Sequence, residues 1–160
     1  KTRGARDVTI MRLRVHVPQG ANCLSFRFKF LSEEFPGFVG SAFNDAVIAE
    51  VGHAPTWKPS SNQSPTITAP DDFATTRNDE SLITVNGAGI AKVSRAAAKG
   101  TTYDAATGKL RASTPVKPGN RLLYLSLFDQ GDRQYDSAVF FDRLSVRHAA
   151  NCKSGLVRSK

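Results

Sequence analysis

The chain has 160 residues and 17.3 kDa, with 40% hydrophobic and 22% charged residues, the values of one ordinary globular domain rather than of a disordered or fibrous chain. No run approaches the ~20 apolar residues that a membrane-spanning helix needs. The formal charge is +8, yet six of the fourteen acids crowd into two short stretches, so without them the chain's 22 basic residues face only 8 acids. Such a surface attracts polyanions, whether nucleic acid, anionic glycans or acidic cell-wall polymers, although its bases are scattered and no specific nucleic-acid-binding motif frames them.

In chain order, residues 1–6 form a basic lead-in. Apolar residues alternate over residues 8–17, with a slip in phase between Ile10 and Leu13 that predicts a β-bulge. Pro18-Gln19-Gly20 is turn chemistry. Leu24, Phe26, Phe28 and Phe30 then alternate with Ser25, Arg27 and Lys29, a strand with an aromatic core face and a wet face. Residues 32–45 carry the first acidic stretch, and residues 46–51 read as a short buried strand. Residues 52–72 hold Pro55, Pro59, Pro65 and Pro70 and predict a long loop of the kind that is often functional. Its Trp57 suits two roles, a stacking platform for a sugar ring or a plug onto the core.

Residues 81–86 alternate weakly as a strand, and the Ala-rich residues 90–99 predict one short helix stopped by Gly100. Residues 103–108 are turn-like and residues 109–113 suggest an edge strand. After a Pro/Gly turn, the continuous apolar run at residues 121–128 predicts a central strand. The second acidic stretch, residues 129–137, leads into one strand over residues 137–147 bent near Asp142, and residues 148–160 form a tail. The expected fold is a single all-β domain with its core at about residues 8–147, a two-sheet antiparallel sandwich of jelly-roll type with at most one short helix.

Cys23 and Cys152 are the only cysteines, and pairing them would suit an oxidising compartment. Closing so long a loop would contribute roughly 4–5 kcal/mol in the chain-entropy model. The alternative is two unrelated thiols. Two cysteines without Cys or His partners are too few for zinc.

The two acidic stretches each lie between apolar runs. If both join antiparallel pairs whose outgoing strands run the same way, they share one pole of the fold, where binding sites are usually built. Repulsion among Glu33, Glu34, Asp45, Asp129, Asp132 and Asp136 would then call for a hard cation, with Asn44 and Ser137 adding neutral oxygens. An all-oxygen donor set favours calcium, although the spacing is not that of an EF-hand. Two other readings use the same residues. Asp and Asn are ordinary turn and capping residues, and Arg27, Arg133 or Arg143 could pair with these acids. Two carboxylates could also form the acid/base pair of a glycoside hydrolase. His16, His53 and His148 show no metal-ligand spacing, and no nucleophile-elbow motif frames a serine.

The segments Phe30-Leu31-Ser32-Glu33-Glu34-Phe35 with Asn44-Asp45, and Asp129-Gln130-Gly131-Asp132 with Tyr135-Asp136-Ser137-Ala138-Val139-Phe140, occur together and in order. They resemble the bacterial choice-of-anchor L domain family, with the likeness running over about residues 8–146. That resemblance implies a β-rich extracellular module of a secreted or surface-attached protein. It implies no common activity, and the matching acids fit a shared ion or ligand site. The chain opens on Lys1 with no signal peptide, which reads as a piece of a larger multidomain protein. The expected function is a non-catalytic, calcium-stabilised recognition or adhesion module at the cell surface, with an extracellular glycan or surface polymer as partner. The alternative is a carbohydrate-active enzyme or its accessory carbohydrate-binding domain.

Overall fold

The computed structural model describes residues 4–60, 66–76, 81–87, 93–131 and 133–158. Over these residues the chain is nearly all-β, with no α-helix. Its strands are β1 (Ala5–Val17), β2 (Cys23–Ser32), β3 (Ala46–Val51), β4 (Lys58–Pro59), β5 (Ile67–Thr68), β6 (Ile83–Thr84), β7 (Ala105–Ala106), β8 (Leu110–Pro115), β9 (Gly119–Gln130), β10 (Ser137–Arg147) and β11 (Gly155–Arg158). Of the helix expected over residues 90–99, residues 90–92 lie outside the described residues. The rest gives one 3-10 turn, Ala96–Ala98, because the backbone turns extended at Lys99 (φ −52°, ψ 129°).

Pairing is antiparallel throughout the sheets. One runs β1-β9-β3-β6, a second runs β10-β2-β8-β11 with β7 also on β2, and β4-β5 form a short ladder. One core cluster draws on both large sheets: Val15 and Val17, the β2 row Leu24, Phe26, Phe28 and Phe30, Val47, Ala49, Leu110, Leu123 and Leu156. The β2 alternation is therefore real, with its aromatic face buried and Arg27 and Lys29 on the other side.

Three expectations change. The irregularity in β1 falls between Arg6 and Thr9, not between Ile10 and Leu13. From Thr9 to Val17 the register with β9 is unbroken, and the phase slip in the sequence comes from Val8 and Ile10, each 44% exposed on an edge strand. Residues 109–113 are not an edge, because β8 sits between β2 and β11. And the core does not end near residue 147: the tail supplies β11, whose Leu156 is 1% exposed.

The described parts of the 52–72 segment, residues 52–60 and 66–72, close over the outer side of β3 and β9. Trp57, Ile67 and Ala69 pack on Ala46, Ile48 and Phe128, and the Tyr124 hydroxyl donates to the His53 carbonyl at 2.7 Å. β9 is therefore covered on both faces, which accounts for its near-continuous run of large side chains, interrupted at Ser126.

Candidate functional site

Both acidic stretches link the two large sheets. Residues 33–45 leave β2 and enter β3, and residues 131–136 leave β9 and enter β10. They are crossovers between sheets, not the antiparallel hairpins assumed from the sequence. They nevertheless share a pole. Ser32 at the end of β2 faces Ser137 at the start of β10, and Ala46 at the start of β3 faces Phe128 near the end of β9.

The loops are bound to each other. The Glu33 amide donates to the Asp136 carbonyl at 3.1 Å, and the Asp136 amide donates to Glu33 Oε2 at 3.3 Å. The Asn44 amide donates to the Gln130 carbonyl at 3.2 Å, and Ser137 Oγ donates to Asp45 Oδ2 at 2.5 Å. Phe38 of the first loop packs edge-on to Phe43 (centroids 5.3 Å apart) and against Tyr135 of the second (5.1 Å). Gly131 (φ +115°) is required at this seam, because a Cβ there would meet Phe43 Cδ1 at 2.7 Å and the Ala42 carbonyl at 3.1 Å.

The acids divide by depth. Glu34, Asn44, Asp45 and Asp129 are buried, Glu33 is half-buried and Asp136 is exposed. Glu34 Oε2 accepts from the Asp45 amide at 3.4 Å, and Asn44 Oδ1 accepts from the Asn86 amide at 2.8 Å. Asp132 lies outside the described residues. Among the described residues no three His, Cys, Asp or Glu side chains are grouped so as to hold a metal. Of the arginines considered as partners, Arg133 reaches Asp7 (3.9 Å) and Arg143 reaches Asp142 (3.6 Å), both outside the loops. The pole thus gathers carboxylate, amide and hydroxyl oxygens, the donor chemistry of a hard cation.

Two residues at the pole escaped sequence reasoning. Asn86, just after β6, donates from Nδ2 to the Ser41 carbonyl at 3.0 Å and so ties down the first loop. Tyr103 has its phenol pKa raised by burial and then by the charges of Asp136 and Glu33, which places its ring within their field. Neither has a local motif, since both arrive from distant parts of the chain.

Away from the pole, Trp57 stacks on Phe128 (4.2 Å, 18°) and donates from Nε1 to Ser126 Oγ at 2.9 Å. One ring face and the indole N–H are committed to the fold. Cys23 and Cys152 are joined (S–S 2.04 Å, Cα atoms 5.7 Å apart), tying the start of β2 to the tail.

The family model of the choice-of-anchor L domain matches residues 2–147. No curated protein and no solved structure matches the chain. No helix among the described residues is long and apolar enough to cross a membrane. Both motif segments fall inside the matched span and meet at one pole, and the chain belongs to the choice-of-anchor L domain family, which points to a secreted or surface-associated module.

Proposed function

We propose that the chain is a non-catalytic recognition or adhesion module of a larger bacterial surface protein, built as a two-sheet sandwich and stiffened at one pole by calcium. The sandwich is supported by the single core cluster to which both large sheets contribute. The observation that carries the functional reading is the pairing of two acidic loops from opposite sheets, with Glu34, Asp45 and Asp129 each at most 6% exposed. Burying carboxylates costs free energy that a divalent cation offsets. Glu33, Glu34, Asn44, Asp45, Asp129, Asp132 and Asp136 are the candidate donors in this reading, and binding would have to draw the carboxylates closer than they lie here, where no three of those described are grouped. A clamp of this kind joins the two sheets and holds the surrounding surface rigid for a partner.

The test is thermal unfolding with calcium and with a chelator. A ligand at 100 times its dissociation constant adds about 2.7 kcal/mol, which for a chain of this size moves the melting temperature by about 5–10 °C. Calcium should restore what chelation removes. Asp129→Asn or Asp136→Asn should blunt that response, whereas Asp71→Asn should not. A melting temperature indifferent to calcium and chelator would reduce the acids to turn and capping residues.

A further inference from the structure

The outer faces of the two large sheets differ. Trp57, Ile67 and Ala69 cover β3 and β9, but over the middle of the other sheet the polar rows of β2, β8 and β10 line a groove of about 400 Å³. Four arginines border it: Arg27 of β2, Arg111 of β8, and Arg143 and Arg147 of β10. Arg27 and Arg111 are direct partners in the β2–β8 register, and like charges placed opposite each other destabilise a sheet. Arg27's partner on its other side is Asp142, the only carboxylate in this row, and Asp142 already contacts Arg143 at 3.6 Å. Among the described residues Arg27, Arg111 and Arg147 make no ion pair and no side-chain hydrogen bond. Each guanidinium carries five donors in a planar fork, so an unanswered set of donors faces one concavity.

The backbone is shaped around it. Between Asp142 and Ser145 the β10–β2 register shifts, and Arg143 sits there at φ +54°, a conformation that is unfavourable for a branched or long side chain. At the shift three consecutive positions of an edge strand, Arg143, Leu144 and Ser145, border the groove, which a regular strand with alternating faces would not allow. Ser25 and Ser145 add hydroxyls to its floor, 3.1 Å from each other.

The geometry points to a binding site for an oxyanion-bearing polysaccharide, held by Arg27, Arg111, Arg143 and Arg147 on the outer face of the β10-β2-β8-β11 sheet. Guanidinium forks match carboxylate and sulfate oxygens, and the serine hydroxyls suit sugar hydroxyls. Among the residues that border the groove the one aromatic, Phe26, is 2% exposed with its ring in the core, so the groove itself gives single-stranded nucleic acid no stacking face; the exposed Phe140 lies beside Asp142's row, outside that lining, and DNA is the competing ligand in the test. This deepens the recognition reading above and rests on it, while using none of the acidic-pole residues.

The experiment titrates the whole chain with dextran sulfate, polygalacturonate, uncharged dextran and single-stranded DNA at physiological salt, with and without calcium. Both anionic polysaccharides should bind and dextran should not, and the stronger of the two identifies sulfate or carboxylate as the preferred group. Arg27→Gln with Arg111→Gln should weaken binding about tenfold or more, whereas Arg12→Gln with Arg14→Gln, the same charge loss on β1, should cost less than about threefold. If the first pair fails to fold, Arg143→Gln with Arg147→Gln, both exposed, carries the same comparison. Equal losses from the two pairs would mean diffuse charge and overturn the site, as would tighter binding to DNA than to either polysaccharide, or no binding at all. Polysaccharide binding that survives while the calcium response is absent refutes the calcium clamp alone. A calcium response that survives while the groove variants bind normally refutes the groove alone.

Discussion

Asp72 should make the fold less stable as pH rises, against the usual trend for carboxylates. It lies opposite Glu50 across an isolated antiparallel bridge. Its Oδ1 accepts from the amides of Ala49 (2.9 Å) and Ala74 (2.8 Å), while Glu50 Oε1 accepts from the amide (2.9 Å) and hydroxyl (2.6 Å) of Thr56. The second oxygen of each, Asp72 Oδ2 and Glu50 Oε2, is buried without a hydrogen bond among the described residues. Burial pushes Asp72 up from 3.8 to about 7; the two amides oppose the rise and the Glu50 charge adds to it. A proton on Asp72 removes one buried charge and supplies a donor where two acceptors lie unanswered.

The sign follows from proton counting. Between 3.8 and about 7 the folded chain holds a proton at Asp72 that the unfolded chain has released. Stability from this group is complete below the lower value, falls as pH rises through the window, and is lost above the upper one. At 1.36 kcal/mol per unit the whole loss is about 4 kcal/mol. Asp72→Asn keeps the Oδ1 acceptor, places an amide donor at Oδ2 and does not titrate. Urea unfolding of both proteins from about pH 4 to about pH 8 isolates the effect from all other acids, since only their difference is read. The native chain should lose about 4 kcal/mol relative to the variant over that range and then level off. A difference that does not change with pH, or that moves in favour of the native chain, refutes the reasoning.

Three further outcomes test the rest of the fold. Gly131→Ala should destabilise by about 2 kcal/mol or more, because the new methyl meets Phe43 and the Ala42 carbonyl at a left-handed position; an unchanged urea midpoint would mean that the loops are not seated as described. Reduction of Cys23–Cys152, 129 residues apart, should cost about 5 kcal/mol in the chain-entropy model, read as a lower urea midpoint with reductant, and two alkylatable thiols in the unreduced protein would contradict the bond. Trp57→Ala should cost about 3 kcal/mol through the lost Phe128 stack and Ser126 hydrogen bond, with polysaccharide binding retained at a temperature where the variant is folded.

Much of this was legible because period-2 alternation reports burial locally. It marked β2 with its aromatic face, while a short apolar run placed β3 at residues 46–51 and the break between two apolar runs located the irregularity near Asp142 in β10. The two acidic motifs, named by residue type and order, also carried the family. Alternation says which side of a strand is dry, but not which strand lies beside it. The partnership of β8 with β11, the crossing of both acidic loops between sheets, and the packing of Trp57 and Ile67 over β9 all depend on residues far apart in the chain. Two-residue strands such as β4, β5 and β7 are too short to leave a period at all. The sequence by itself determined the β class, named the two acidic loops and offered the Cys23–Cys152 pairing that the structure shows. Only the tertiary structure decided that Asp72 meets Glu50 and that Arg27 lies between Arg111 and Asp142, because the energy of a charge depends on its neighbours in space, and those are set by packing.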